Sequence, residues 1–254
     1  MEEERKKGSE KIMEKTLIIL LVLSVALTIF NQFQLFSIKT GNAGNLATGM
    51  TIVQAAVIPT GTPEIYGKEL GITYDGVTPN NNALTEQTIA TLGDLDRTLT
   101  LEGDNLERYI DITSQISCEY CCGAGSIIVT REDVKELNEK IDEAIASGKI
   151  TKEQAEQYKR TVGIAACGCA HSYAMRGLAK YLILNHGDEF SDEQILDELA
   201  KWKTLFFPGQ MAAKADVMEQ QGIEFSYANL GSNRYRGIEQ GNSGSSGSGM
   251  VGGC

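Results

Sequence analysis

Basic residues are scarce in this chain of 254 residues. Lysine and arginine number 23 against 34 acidic residues, which gives a formal net charge of −11 at pH 7. A surface of this sign repels nucleic acid, so we expect no nucleic-acid partner. Cysteines number only six, far below the density of a small secreted domain held together by disulfide bonds. Any cysteine chemistry is therefore local.

The sequence also lacks a constellation of residues that would name a reaction. Histidines number only two, and the glycine-rich C-terminal stretch has no strand before it and no helix after it, as a phosphate-binding loop requires. We therefore predict a protein that is not an enzyme. Hydrophobic residues make up 42% of the chain, which excludes a disordered protein and allows one sizeable core or two small ones.

A long segment without charge lies near the N-terminus, at residues 17–38. About 20 apolar residues suffice for a transmembrane helix. Five basic residues precede the segment, and only Lys39 follows it before Glu64. This bias predicts a single-pass anchor in the cell membrane with residues 1–16 in the cytoplasm and the remainder outside. A cleaved signal peptide is the alternative, but no small-x-small site follows at close range.

The outer part is predicted to be mainly α-helical. Residues 39–83 are spotted with glycine and turn-forming residues, which indicates a linker and an irregular segment. Residues 84–236 carry helical periodicity and form the expected domain, with a capping box at Asp104 and Glu107 in its second helix. Residues 237–254 are rich in glycine and serine and predict a flexible tail.

A helical hairpin is predicted at residues 131–160. Apolar residues repeat at helical spacing from Val134 to Ile145, Gly148 stops that helix, and Thr151 with Gln154 caps a second one. An antiparallel hairpin returns the chain to its starting point. The residues on either side of it can therefore lie close together in space.

Two short cysteine clusters flank this hairpin and are the informative feature of the sequence. They contain most of the cysteines and one histidine: Cys118, Cys121, Cys122, Cys167, Cys169 and His171. Ligands two or three residues apart can turn toward a single ion without a long loop to order, and nearby glycines let the backbone bend toward the sulfurs. We predict that all six residues belong to one metal site.

Thiols and an imidazole suit zinc, copper(I) or an iron–sulfur cluster, whereas magnesium and calcium prefer oxygen ligands. Zinc takes four ligands, and Cys118, Cys121, Cys169 and His171 form a suitable tetrahedral set. The sulfurs of Cys122 and Cys167 would then form a disulfide, replace members of this set or help build a second site.

Two other chemistries stay open for the same cysteines. Disulfide bonds alone are one alternative, because the predicted location outside the cell favours oxidation. Thiol redox chemistry is another, because Cys118-x-x-Cys121 has the spacing of a redox pair, although the βαβ context that usually accompanies it is missing.

Other candidate residues have structural interpretations. His186 ends a predicted helix, where it would interact with the last carbonyl groups. The acidic residues at 188, 189, 192 and 193 surround a helix N-terminus and are expected to be capping charges. Trp202 and residues 205–207 are predicted to be core.

A resemblance to other proteins rests on three stretches of the sequence: ISCEYCCGA, CGCAHSYAMRGLAKYLILNHGDE and SDEQILDELAKWKTLFFPGQM. The chain resembles a group of uncharacterised archaeal membrane-anchored proteins with the same paired cysteine motifs, over about residues 58–75 and 105–240. More loosely, Cys167-Gly-Cys169 with His171 is similar to the bacterial lipoproteins named for a Pro-Cys-Tyr-Cys-Gly-Cys motif, although residues 164–166 here lack their proline and first cysteine. The resemblance supplies no activity and supports treating the two clusters as one site.

The sequence thus predicts a membrane-anchored, extracytoplasmic protein with a structural zinc ion. The alternatives are a copper(I)-handling protein, a membrane-tethered thiol oxidoreductase and a subunit of a surface filament held by its N-terminal helix. The partners expected are the lipid bilayer and a metal ion, with a protein partner or a homo-oligomer left open.

Overall fold

The structure is a computed structural model that describes residues 57–78, 80–240 and 251. These residues form helices and no β-strand, which confirms the prediction of a mainly α fold. The helices are, in chain order, α1 Gly67–Leu70, α2 Asn82–Thr98, α3 Gly103–Thr113, α4 Arg131–Ala146, α5 Lys152–Ala155, α6 Ala170–His186, α7 Asp192–Phe206, α8 Pro208–Gln220, α9 Tyr227–Gly231 and a 3-10 turn at Asn233–Tyr235.

The predicted transmembrane anchor at residues 17–38 lies outside the described residues. Within the part of the chain that the structure describes, every helix is too short or too polar to cross a bilayer. The membrane anchor and its orientation therefore stay predictions from the sequence.

Helices α6 and α7 each contribute more buried apolar side chains than any other helix of the described residues. The inward face of α6 is apolar and fully buried at Met175, Leu178 and Leu182. Trp202 and Phe206 of α7 are also fully buried, which confirms the prediction that they are core residues. Burial of apolar side chains of this size is the main source of stability in such a domain.

Helices α2 and α6 cross at a glycine. A Cβ atom added at Gly177 would lie 1.8 Å from the carbonyl oxygen of Leu92 and 2.8 Å from the backbone nitrogen of Asp96. No side chain fits between backbones this close. On the facing helix, a Cβ at Gly93 would lie 3.5 Å from the Cβ of Tyr173, which is an ordinary contact.

Two of the three predicted capping boxes are confirmed. Thr151 with Gln154 caps α5, and Ser191 with Gln194 caps α7. The predicted box at Asp104 and Glu107 is wrong, because α3 begins earlier, at Gly103, and its extended N-cap residue makes no side-chain hydrogen bond. Glu107 instead pairs with Arg131 at the start of α4. An ion pair between residues so far apart in the sequence produces no local pattern from which it could be predicted.

The predicted hairpin consists of α4, a turn at Gly148 and the single turn of α5. Its base is closed by a short antiparallel contact between residues 127–129 and 163–166. The backbone of Val129 donates to Ile164 at 2.8 Å and accepts from Gly163 at 2.9 Å, and Ala166 donates to Ile127 at 3.3 Å. We call this contact the hairpin stem. It brings the chain back to within one residue of the second cysteine cluster.

The segment at residues 57–78 is fastened to α7 by a buried polar cluster. The hydroxyl of Tyr66 donates to Glu198 at 2.7 Å and accepts from the indole nitrogen of Trp202 at 2.8 Å. Tyr74 also donates to Glu198, at 2.5 Å. Burial, together with the carboxylate, raises the pKa of both tyrosines, so both remain protonated donors.

His186 adds a second link to that segment. Its Nδ1 lies 2.7 Å from Glu189, and its Nε2 lies 3.0 Å from Glu69 of α1. The predicted interaction with the carbonyl groups ending the helix is therefore wrong, because two carboxylates occupy both ring nitrogens. Burial lowers the pKa of His186, but the two carboxylates outweigh it and the pKa is raised from its ordinary 6.5.

We expect Gly177→Ala to lower the free energy of unfolding by about 3 kcal/mol, because the helices must move apart to admit a methyl group. Gly93→Ala is the matched control and should leave the stability unchanged or raise it by up to about 1 kcal/mol, through the better helix propensity of alanine. Urea unfolding of the full-length protein measures both. Equal effects of the two variants would contradict this packing.

A second prediction concerns pH. A histidine whose folded-state pKa is raised adds stability that is complete below its unfolded-state pKa and is lost as pH rises through the folded value. The unfolding free energy lost in His186→Gln should therefore be largest below pH 6.5 and shrink at higher pH. In a Glu189→Gln background this decline should end at a lower pH, because the folded-state pKa of His186 is then raised less. A loss in His186→Gln that is independent of pH would contradict the charged interaction.

Candidate metal centre

The first cysteine cluster follows α3 and is wound into a tight turn. The backbone nitrogens of Cys121 and Cys122 both donate to the carbonyl oxygen of Cys118, at 3.1 and 3.2 Å. Gly123 then reverses the chain at a φ of +68°, in the left-handed region that glycine favours. Three sulfurs thus project from a single turn.

Residues near the end of the domain fasten this turn in place. Asn233 donates from its side chain to the carbonyl oxygens of Ser114 and Gly125, at 3.1 and 2.9 Å. The guanidinium of Arg236 donates to the carbonyl oxygens of Gly123 and Ala124, both at 2.9 Å. These bonds satisfy carbonyl groups of a loop that has few partners of its own.

The second cluster leads from the hairpin stem into α6. Cys169 is the N-cap residue of this helix, and its sulfur accepts the backbone N–H of Ser172 at 3.3 Å. His171 lies in the first turn of α6 and is fully buried between the rings of Phe206 and Phe207. The helix therefore fixes the directions of both side chains.

Arg176, one turn further along α6, holds the second cluster against the stem. Its Nη1 donates to the carbonyl oxygens of Cys167 and Ile127, both at 3.1 Å, and its Nε donates to Asp96 at 3.0 Å. The side chain is only 1% exposed. Such a buried charge is tolerable because it is paired with the carboxylate of Asp96, which lies 2.9 Å from Nη2.

The two clusters meet in the interior. The sulfurs of Cys118 and Cys169 lie 3.3 Å apart, and both cysteines are buried free thiols. Ligand atoms of four residues lie within 4.8 Å of one another, which is compatible with a shared metal ion: Cys118, Cys121, Cys169 and His171. This is the set that the ligand preferences of zinc select from the sequence.

The remaining sulfurs are also placed. Cys122 and Cys167 form a disulfide bond with a Cα–Cα distance of 6.5 Å. The sulfur of Cys169 lies within 4.8 Å of both of them, so Cys169 belongs to both groups of sulfurs. Cys121 is itself disulfide-bonded, and its sulfur becomes a metal ligand only after reduction.

The imidazole of His171 is oriented by the backbone of Val251. Nε2 lies 2.7 Å from the carbonyl oxygen of Val251, and the nitrogen of Val251 donates to the carbonyl oxygen of Phe206 at 2.8 Å. A carbonyl oxygen only accepts, so Nε2 carries the hydrogen of this bond. Metal-binding histidines are held by their second nitrogen in the same way.

The two free thiols share one proton unequally. The hydrogen bond with Cys118 lowers the pKa of Cys169 to about 4, although burial opposes this. The same hydrogen bond and burial raise the pKa of Cys118. The position of Cys169 at the N-terminus of α6 explains which sulfur becomes the thiolate, because the helix dipole stabilises negative charge there.

A buried charged network adjoins the first cluster. Glu119 lies 3.3 Å from the amino group of Lys203, and Lys214 lies 3.9 Å from the same carboxylate. Burial raises the pKa of Glu119, but the two lysines outweigh it and the pKa is lowered. Burial lowers the pKa of Lys203 to about 8. Arg236 and Glu239 complete the network at its edge.

Sequence reasoning missed several residues that build this site. Arg176 interrupts the apolar face of α6, and Glu119 lies between two cysteines. Each is therefore a weak sequence signal of a buried charge near the site. Val251 acts through its backbone atoms and gave no signal at all. It belongs to the stretch predicted to be a flexible tail, and it is nevertheless buried.

Comparisons with known protein families, with curated proteins and with solved structures find no match to this chain. The chemistry of the site therefore carries the functional argument.

We expect Arg176→Met to lower the free energy of unfolding by about 3 kcal/mol, because it leaves buried carbonyl groups and Asp96 short of partners. It should also speed alkylation of Cys169, since the second cluster loses its support. Arg97→Met is the control: its ion pair with Asp94 is exposed, so the change should be within about 1 kcal/mol. Alkylation at the wild-type rate in Arg176→Met would contradict this role.

Proposed function

We propose that the protein, with Cys121 reduced, binds one zinc ion through Cys118, Cys121, Cys169 and His171, and that the zinc is structural. The observation that carries the proposal is a pair of buried thiols 3.3 Å apart, with the ligand atoms of Cys121 and His171 within 4.8 Å of them. Thiols and an imidazole gathered in this way in an apolar interior form the ligand set that zinc prefers.

The structural role follows from the burial of the ligands. Cys118 and His171 are fully buried, and Cys169 is nearly so. A catalytic zinc keeps an open position for water or substrate, whereas a structural zinc is closed by four protein ligands. Four protein ligands, three of them buried, would leave no such position. The ion would therefore join the turn after α3 to the start of α6.

The charges around the site also suit the proposal. Zinc with three thiolates and a neutral imidazole carries one negative charge. The adjoining network has three bases, Lys203, Lys214 and Arg236, against the two acids Glu119 and Glu239, which leaves one positive charge in excess. Opposite charges in a low-dielectric interior attract strongly, so the network would stabilise the thiolate form of the ligands.

We further propose that this domain lies outside the cell membrane and is anchored by residues 17–38. The apolar segment and the basic residues before it support this arrangement. The disulfide bond between Cys122 and Cys167 supports it as well, because disulfides persist mainly in oxidising compartments.

The zinc proposal is tested with the full-length protein in detergent, reduced with a phosphine, incubated with zinc and desalted. Metal content and free thiols are then measured together. We expect about one zinc per chain, held by four ligands. Cys169→Ser and His171→Ala should lower the zinc content, because each removes a ligand.

The matched control is the double variant Cys122→Ser with Cys167→Ser, which removes two cysteines but no proposed ligand. It should still bind about one zinc. Zinc retained by Cys169→Ser but lost in the double variant would overturn the assignment of ligands. No zinc bound by the reduced wild type would overturn the proposed function.

A further inference from the structure

The sulfurs of this domain form a continuous path from the surface to the core. Cys122 is exposed, and its disulfide partner Cys167 is buried. The sulfur of Cys169 lies within 4.8 Å of both of these sulfurs, and Cys118 lies 3.3 Å beyond it in the interior. The disulfide and the pair of free thiols are therefore neighbours in the structure.

We propose that the protein carries out intramolecular thiol–disulfide exchange, in which Cys169 transfers the disulfide between the surface pair Cys122–Cys167 and the buried pair Cys118–Cys169. Exchange requires a thiolate that can reach a disulfide sulfur. Cys169 satisfies the geometric condition, since it is the cysteine that belongs to both sulfur groups among the described residues.

The first step is attack by the Cys169 thiolate on the sulfur of Cys122. A bond forms between Cys169 and Cys122, the Cys122–Cys167 bond breaks, and Cys167 leaves as a thiolate. In the second step Cys118 gives its proton to the Cys167 thiolate and attacks Cys169. The Cys118–Cys169 bond forms and Cys122 leaves as a thiolate. One disulfide and two reduced sulfurs are present before and after, so no outside oxidant is needed.

The backbone permits this movement. Gly168 separates Cys167 from Cys169, and a Cβ added there would meet no heavy atom within 4 Å. The side of Gly168 on which a side chain would lie is therefore open. Glycine also has more backbone freedom than other residues, so the chain between Cys167 and Cys169 can adjust as the disulfide moves.

The exchange has a consequence for the metal, which rests on the proposed function. Two of the four zinc ligands, Cys118 and Cys169, are consumed when the disulfide moves inward. Zinc bound to them would in turn block the exchange, because a coordinated thiolate is not free to attack. The position of one disulfide would thus set whether the site can hold zinc, with the exposed Cys122 thiol reporting the change at the surface.

The test uses the full-length protein without reductant and without added metal. After incubation at neutral pH, acid stops the exchange by protonating thiolates, and peptic digestion with mass spectrometry identifies the cross-linked peptides. Wild type should contain a Cys118–Cys169 cross-link beside Cys122–Cys167. In Cys118→Ser the second step is blocked, so a Cys122–Cys169 cross-link should appear with loss of Cys122–Cys167. Cys169→Ser is the control and should contain Cys122–Cys167 without either new linkage.

Detection of Cys122–Cys167 alone in the native wild type and in Cys118→Ser would overturn the proposal, provided that urea-unfolded samples show scrambled linkages. A native cross-link of Cys121 to Cys169 in place of Cys122 would overturn the assigned route. If circular dichroism shows that Cys118→Ser is unfolded, the presence or absence of the Cys118–Cys169 cross-link in the wild type decides whether exchange occurs. Exchange in a protein that binds no zinc would sink the zinc proposal and leave the exchange standing.

Discussion

The hairpin stem is the contact on which the site depends. Cys122 and Cys167 are 45 residues apart in the sequence, and backbone hydrogen bonds between residues 127–129 and 163–166 bring the chain back across that gap. Arg176 then ties the carbonyl oxygens of Ile127 and Cys167 to one guanidinium. Backbone pairing, a buried cation and a disulfide act on the same few residues. These contacts offset the entropic cost of closing the long connection before any metal is bound.

Placement of the sulfurs in the core gives them their chemistry. A thiol on the surface is surrounded by water. Cys118 and Cys169 are instead buried in the core, and their sulfurs lie 3.3 Å apart. The N-terminus of α6 favours a thiolate at Cys169, and the buried lysines nearby favour negative charge in the same region. The proposed metal binding and the proposed disulfide exchange would both use this stabilised thiolate, and each would exclude the other.

Much of this arrangement could be predicted from local sequence patterns. Apolar periodicity located the long helices, and the capping boxes of α5 and α7 were readable because their residues are three apart. The hairpin between the clusters implied that they meet, since an antiparallel pair must return. The box at Asp104 failed because Glu107 pairs with Arg131, 24 residues away, and such a contact leaves no local trace. The partner Glu69 of His186 and the role of Val251 could not be predicted for the same reason, since both contacts join distant parts of the chain.

The central claim is that two sulfur clusters share one soft metal ion with a histidine, and X-ray absorption at the zinc edge of the reduced, zinc-loaded protein tests it most directly. The account predicts about three sulfur ligands near 2.3 Å and about one nitrogen near 2.0 Å. A shell of four sulfurs would exclude His171. A shell of nitrogen and oxygen alone would contradict the shared sulfur site altogether.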